Sequence, residues 1–205
     1  LTNFSLLVAH VRVLPAMEQI AAAPDRRIDG FLAAGHVCTV TGSDLYGNFT
    51  ERFKLSVVVT GFEPVDLLDG VLACVRLLEA GETRAVNAYP RAVRPAGNPH
   101  AQALLDEVFE PCDRDWRGLG SIAAGGYRLR AAWSAFDAEQ RYGRLSTHSE
   151  RETPCPSGEV LTGRLRPSEC PYFGRECTPQ SPWGAPMVSD EGACAAYYRY
   201  GRVHV

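Results

Sequence analysis

The sequence of 205 residues has neither an excess of positive charge nor a long apolar run. Its net charge is −3 and Lys54 is its only lysine, so it lacks the basic surface that binds a nucleic-acid backbone. The longest apolar stretch, residues 4–13, is interrupted by His10 and Arg12 and is too short to cross a bilayer. We therefore expect no nucleic-acid partner and no membrane span.

Signals for export and for nucleotide binding are also missing. The chain starts at Leu1 without the basic segment and cleavage site of a secretion signal, so we expect a cytoplasmic location. It contains no G-x-G-x-x-G or Walker-type motif. Seven cysteines are an odd number, and Cys38 and Cys74 lie in apolar stretches, which argues against a secreted disulfide framework.

Alternating strands and helices dominate the first part of the chain. Hydrophobic residues make up 45 % and charged residues 22 %, as in an ordinary globular protein. Strands are predicted at 4–11, 28–35 and 55–62. Helices are predicted at 14–23, in a region that ends at about residue 52, and from Pro64 to Gly81. This order predicts an α/β fold of Rossmann-like βαβ units, with a small parallel sheet and flanking helices.

The helix that begins at Pro64 has the clearest periodicity. Its apolar residues recur at intervals of three and four, a pattern typical of one apolar helix face. They are Leu67, Leu68, Val71, Leu72, Val75 and Leu78. Cys74 falls beside this face, and we expect it to be packed.

Regular structure is weaker after Gly81. Three prolines and a glycine in 87–99 predict an extended connection, followed by a helix from Pro99 and a short helix over 131–140. Prolines and glycines then recur from 145 to 186. A segment so poor in apolar periodicity needs a cross-link, such as a disulfide or a metal, to order it. We therefore predict three segments: an α/β domain (1–85), connecting helices and extended chain (86–144), and a cysteine-rich region (145–205).

Four of the seven cysteines lie in the last 51 residues, spaced C-x14-C-x6-C-x16-C. Nothing indicates the oxidising compartment that a disulfide would require. Zinc would suit four thiolates, but its ligands usually come in close pairs, and the shortest gap here is six residues. An iron–sulfur cluster accepts thiolates that arrive singly from separate loops. The spacing favours a cluster only slightly, and zinc or no metal stays open.

The C-terminal segment GEVLTGRLRPSECPYFGRECTPQSPWGAPMVSDEGACAAYYRYGR (158–202) resembles the C-terminus of the HypD family of hydrogenase formation proteins. The resemblance continues upstream and covers essentially the whole chain. Its segments are GHVCTVTG (35–42), VVVTGFEPVDLL (57–68), RAVRPAGNP (91–99), EVFEP (107–111) and WRGLG (116–120).

The resemblance implies a cofactor and a role. HypD proteins hold a [4Fe–4S] cluster on four C-terminal cysteines, here Cys155, Cys170, Cys177 and Cys194. They act as scaffold and electron donor when the Fe(CN)2CO moiety of [NiFe]-hydrogenases is assembled with a HypC-type chaperone and HypE. This is a maturation role with a redox component, not that of a turnover enzyme.

One part of the family pattern is absent from this sequence. HypD proteins are much longer, and their N-terminal half carries CGGHTH and GPGCPVC motifs that do not occur here. The chain therefore resembles the C-terminal portion, and transient binding of the iron fragment is expected to need the missing half.

Four other residues are candidates for a cleft or a partner-facing surface. His36 and Glu63 follow predicted strands, where open α/β sheets place ligand-contacting residues. A structural histidine is an equal alternative for the first, and Asp66 nearby is expected to stabilise the start of its helix. Arg91 and Asn98 lie in the extended connection and could contact a partner, or simply face solvent.

Two other functions compete with the assembly role. The first is a zinc-stapled interaction module without redox activity. The second is an α/β enzyme that acts on a small molecule near His36 and Glu63. The tyrosines Tyr197, Tyr198 and Tyr200 resemble a helix that closes a metal site, although such aromatics also commonly anchor a terminus.

Overall fold

The protein is described by a computed structural model over residues 2–143 and 153–201. Two compact units make up the chain: the sheet unit (28–110) and the cysteine unit (1–27 with 111–205). The segment boundary predicted at 144/145 lies outside the described residues, and the three-segment division stays a prediction. Within the described ranges, no helix combines the length and apolarity that a membrane crossing requires.

The described residues contain five strands and nine α-helices. The strands are β1 (Gly30–Ala34), β2 (Ser56–Thr60), β3 (Ala85–Asn87), β4 (Phe109–Trp116) and β5 (Gly120–Leu129). The helices are α1 (Val13–Ala22), α2 (Gly35–Thr41), α3 (Gly47–Phe53), α4 (Pro64–Ala80), α5 (Pro99–Val108), α6 (Ala138–Tyr142), α7 (Ser157–Leu161), α8 (Ala185–Val188) and α9 (Ala193–Tyr200). Short 3-10 helices span Asp44–Tyr46, Ala131–Phe136 and Pro167–Glu169.

The sheet unit is built on three parallel strands in the order β1-β2-β3. Every residue of β2 is buried, as the run Val57 to Val59 predicts for a strand covered on both faces. Phe31 of β1 packs edge-on against Phe49 of α3, with ring centroids 5.6 Å apart. On the opposite face, α4 lies across β1 and β2. The predicted α/β class with a small parallel sheet and flanking helices is therefore confirmed.

Helix α4 has the predicted bounds but buries a different side. It begins at Pro64 and ends at Gly81, whose φ of 65° suits a residue without a side chain. Its buried residues are Asp66, Gly70 and Leu77, while the predicted apolar face is exposed. Helix α4 and strand β2 lie close together at Gly70, because glycine has no side chain. A β-carbon at Gly70 would lie 2.8 Å from the Thr60 side chain.

The strand predicted at 4–11 is wrong. This segment makes only isolated bridges, Leu6 with Asp137 and Val11 with Gly126. Its backbone bonds lead to two separate elements, since Leu6 N–H donates to Phe136 O at 2.7 Å and Tyr127 N–H donates to His10 O at 3.1 Å. Without a continuous neighbour, the apolar run stays extended chain in the cysteine unit.

Strands β4 and β5 form a two-stranded sheet in a region where the sequence predicts no strand. Glycines at 120, 125 and 126 lower the strand propensity of β5. Side chains of β4 fix the pair, since Trp116 Nε1 donates to Gly125 O at 2.9 Å and Asp113 accepts from Ala124 N–H at 2.9 Å. Helix α1 packs against β5.

The cysteine-rich segment has short helices and a small apolar cluster. Cys177, Met187 and Ala195 are buried there. The partly buried side chains around them are Tyr172, Phe173, Trp183, Cys194 and Tyr198. The predicted loop-rich character is accurate, but the segment has more apolar packing than its sequence periodicity indicates.

Candidate metal centre

Four cysteine side chains line one cavity in the cysteine unit: Cys155, Cys170, Cys177 and Cys194. The other lining residues are Pro156, Ser157, Val160, Phe173, Gly184, Pro186 and Met187. The cavity measures about 20 Å³, roughly the room that one water molecule needs. The structure thus brings together the four thiols that the sequence predicts as ligands.

Each thiol comes from a different local structure. Cys155 lies just before α7, and Cys170 follows the 3-10 helix Pro167–Glu169, with its N–H donating to Pro167 O at 3.2 Å. Cys177 closes a turn in which its N–H donates to Tyr172 O at 3.0 Å. Cys194 lies in the first turn of α9. Turns and the ends of short helices therefore place the sulfurs, which suits the many prolines and glycines of this segment.

The loop at Trp183 and Gly184 holds the cavity together. The Trp183 N–H donates to the Sγ of Cys177 at 3.4 Å, and its carbonyl accepts from the Thr153 hydroxyl at 3.0 Å. A β-carbon at Gly184 would overlap the Sγ of Cys155. Only glycine therefore lets this loop pass so close to the sulfur.

Burial and mutual repulsion make the thiolate forms of Cys155 and Cys194 unfavourable. Burial, and then the charge of the three neighbouring cysteines, raises the pKa of Cys194 to about 11. Burial and the neighbouring Cys177 and Cys170 also raise the pKa of Cys155, against hydrogen bonds from Ser157. Thiolates crowded into an apolar cavity gain most from a cation between them. The chemistry of this donor set therefore fits a metal centre.

Among residues 2–143 and 153–201, no three His, Cys, Asp or Glu side chains are arranged to hold a metal ion. The four thiols share a cavity but do not form a ready-made site for a single ion. A single metal ion would therefore require these side chains to move.

Aromatic side chains cover part of the thiol cluster. The rings of Tyr172 and Trp183 lie 4.8 Å apart, and Phe173, which lines the cavity, packs edge-on against Tyr198 at 6.1 Å. The predicted terminal helix exists as α9. Tyr197 and Tyr200 on it are exposed, so one of the three tyrosines packs beside the thiols.

In the sheet unit, Glu63 and Arg91 meet in an ion-pair cluster. Arg91 donates to both carboxylate oxygens of Asp66, at 2.5 and 2.7 Å, and to Glu63 at 2.6 Å. Its guanidinium also lies 4.5 Å from the centre of the Tyr89 ring. The hydrogen bonds from Arg91 hold the pKa of Asp66 below its usual range. Arg91 is therefore tied to the start of α4.

His36 and Asn98 take no part in this cluster. His36 is exposed in the first turn of α2, with its ring 4.9 Å from that of Phe62. Asn98 caps α5, since its side-chain oxygen accepts from Ala101 N–H at 3.2 Å. The roles predicted for these two residues and for Glu63 and Arg91 stay predictions.

Sequence analysis missed several residues at both places. Asp66 is expected only to stabilise its helix, yet it is the buried partner of Arg91, 25 residues further on. Tyr89, Trp183 and Gly184 carry no motif that marks them. Trp183 and Gly184 act through contacts distant in sequence, with Thr153 and Cys155, and Tyr89 acts through the Arg91 cluster.

Comparison with known proteins finds one family along almost the whole chain. Residues 1–201 match the HypD family model, described as Hydrogenase formation hypA family. The hydrogenase maturation factor HypD of Rhizobium leguminosarum bv. viciae is 41 % identical over 209 residues, which cover 98 % of this chain and 54 % of that protein. HypD of Escherichia coli (strain K12) is 42 % identical over 201 residues, which cover 97 % of this chain and 53 % of that protein. HypD of Cupriavidus necator is 40 % identical over 207 residues, which cover 98 % of this chain and 55 % of that protein.

The chain spans about half the length of the curated relatives that it matches. Within that half the match runs through both the sheet unit and the cysteine unit. The extent of the family match and the level of identity lead to one conclusion: this chain belongs to the HypD family.

Proposed function

We propose that this chain is the cluster-binding part of a hydrogenase maturation factor, in which Cys155, Cys170, Cys177 and Cys194 hold a [4Fe–4S] cluster. One observation carries the proposal: four thiols from four separate local structures line a single cavity. Membership of the HypD family supports the biological role, because the relatives are named hydrogenase maturation factors.

The ligand spacing supports a cluster over zinc. Structural zinc sites usually draw ligands in pairs two to four residues apart, whereas gaps of fourteen, six and sixteen residues separate these cysteines. Iron–sulfur clusters are held by thiolates. The four local structures that present the sulfurs, one each, suit this mode of binding.

The chain's own residues would control the properties of such a site. When bound, a [4Fe–4S] cluster takes up and releases single electrons. Phe173, Met187 and Val160 give the cavity an apolar lining, which disfavours water. The Trp183 N–H donates to the Cys177 sulfur, and hydrogen bonds to sulfur are one means by which proteins set a cluster potential.

We further propose that the chain acts as scaffold and electron donor during assembly of the Fe(CN)2CO moiety of [NiFe]-hydrogenases, with a HypC-type chaperone and HypE as partners. The iron fragment is cargo here, and its binding is expected to involve the part of the family protein outside the matched region. The family resemblance of the motifs at 35–42, 57–68 and 91–99 supports this role.

Metal analysis of anaerobically purified protein tests the cluster. We expect about four iron and four acid-labile sulfide per chain. Single Cys170→Ser and Cys194→Ser variants should lose most of both. Cys112→Ser is the matched control, because Cys112 is similarly half-buried but lies outside the cavity, and it should retain them. Stoichiometric zinc without sulfide would exclude the cluster and favour an interaction module instead.

A further inference from the structure

Helix α4 exposes an unusually large apolar face. Leu68 is 70 % exposed and Val65 is 69 % exposed. The other exposed apolar residues of the helix are Leu67, Val71, Leu72, Val75 and Leu78. Scattered single hydrophobic side chains are normal on a monomer, but seven on one helix form the kind of patch that marks an interaction site.

The seven exposed side chains of α4 do not pack into the core of the sheet unit. At 100° per residue, the seven side chains occupy an arc of about 160°, and the buried residues Asp66, Gly70 and Leu77 lie on the other side of the helix. Glu79 is the only charged residue within that arc. The arc, which we call the outer face of α4, therefore suits an apolar partner.

The apolar surface continues onto the neighbouring strand. A β-carbon at Gly30 would lie 3.0 Å from the Sγ of Cys74 on α4, so this side of β1 faces the helix. Leu32 is two residues further on and lies on the same side, and it is 45 % exposed. Among the described residues, β1 pairs only with β2, so the strand edge beside Leu32 is also open.

A protein segment fits this surface better than a lipid membrane does. Helices that lie on membranes are rich in Lys and Arg on their polar side, whereas Arg76 is the only basic residue of α4. An open strand edge next to an apolar helix face is what a further strand and helix of a parallel α/β sheet would cover. The relatives carry nearly as much chain again as the matched region, since that region is 53–56 % of their length.

We propose that the outer face of α4, together with Leu32, is the docking surface for the part of a HypD-family protein that lies outside the region matched by this chain. An apolar segment of that part packs against Leu68, Leu72 and Val75. The interaction rests on family membership and surface geometry, and does not depend on cluster binding.

Cysteine labelling in two contexts tests the proposal. Leu68→Cys is introduced into this chain alone, and into a chimaera in which this chain replaces the matched region of the Escherichia coli relative. Both proteins are treated anaerobically with N-ethylmaleimide, and modification at position 68 is followed by peptide mass mapping. We expect modification at least about tenfold slower in the chimaera, because burial by docking limits access to the thiol.

Matched controls make the result specific. Leu104→Cys on α5 replaces another exposed leucine of the sheet unit, 49 % exposed, and should react equally fast in both proteins. The buried Cys38 should stay unmodified in both, which shows that each is folded. Equal rates at position 68 would overturn the proposal. So would protection in the isolated chain that grows with its concentration, which indicates a second copy, or protection by phosphatidylglycerol vesicles, which indicates a membrane.

Discussion

Contacts between single residues decide whether the four thiols can meet. The Gly184 backbone lies against the Cys155 sulfur with no room for a side chain. If the four cysteines hold the proposed cluster, Gly184→Ala should lower the iron content of anaerobically purified protein severalfold, because the added methyl group displaces the sulfur. Gly47→Ala is the control, since a β-carbon there has no neighbour within 4 Å, and it should retain its iron. Normal iron content in Gly184→Ala would show that the loop moves freely.

The ion pair of Asp66 and Arg91 predicts a specific acid sensitivity. Arg91 lowers the pKa of Asp66, so the stabilisation is fully present above the unfolded value of about 4 and is lost as pH falls through the lower folded value. We expect Asp66→Asn to lower the free energy of unfolding at neutral pH, and the difference from the unsubstituted protein to shrink in acid. Urea unfolding of both proteins, from neutral pH into the acid range, measures this difference in the free energy of unfolding.

The exposed Asp69 on the same helix provides the control for this acid sensitivity. Asp69→Asn leaves the Asp66 pair in place and should keep the acid-dependent loss. A pH-independent difference between Asp66→Asn and the unsubstituted protein would contradict the role given to the charge.

At the residue level, the sequence pattern identifies which cysteines lie together, while their role as metal ligands stays a prediction. The four cysteines that line the cavity are identifiable from their spacing and from the family resemblance. The pairing of Arg91 with Asp66 is not, because it depends on how the connection after β3 returns to the start of α4. Contacts of this kind depend on tertiary structure, and no local motif encodes them.

At the scale of elements, α4 shows that the residues that define a helix are not the ones that decide which of its sides packs against the sheet. Pro64, Gly81 and the periodic leucines predict its bounds correctly. The side that packs against the sheet is chosen by close approach, which favours Gly70 over the larger leucines. A periodic apolar face therefore predicts a helix reliably, but it does not tell which face meets the core when a helix has two apolar sides.

Paired leucine truncations test this assignment of the α4 faces. Leu77→Ala should lower the free energy of unfolding by about 2–5 kcal/mol, because it removes a buried side chain. Leu68→Ala should change it by less than about 0.5 kcal/mol, because that side chain is exposed. Chemical denaturation of the isolated chain measures both. Similar losses for the two variants would show that the outer face is covered within this chain.

Other elements show where local sequence misleads. The segment 4–11 has strand-like composition but finds only single bridges at Leu6 and Val11. The strands β4 and β5 form despite glycines that discourage strand formation, held by side-chain bonds such as that of Trp116. Strand formation depends on the partner, so composition alone misassigns both regions.

At the scale of the whole molecule, the sheet unit and the cysteine-rich segment (153–201) differ in how much apolar surface they bury. The sheet unit has a continuous apolar core around Val57, Val58 and Val59. In the cysteine-rich segment the buried apolar cluster is small, with Cys177, Met187 and Ala195 at its centre. A metal centre that links the four cysteine-bearing parts of this segment would supply the cross-links that it otherwise lacks.

This difference predicts a selective response to iron removal. If the proposed cluster is bound, extracting its iron by oxidation and chelation should accelerate amide hydrogen exchange over 155–200, because the centre would cross-link this segment. Exchange in β2 should stay slow, since its buried valines belong to a separate unit. Cys170→Ser should show the same pattern without chelator. Unchanged protection of 155–200 in both cases would mean that the turns and the apolar cluster order this segment without a metal.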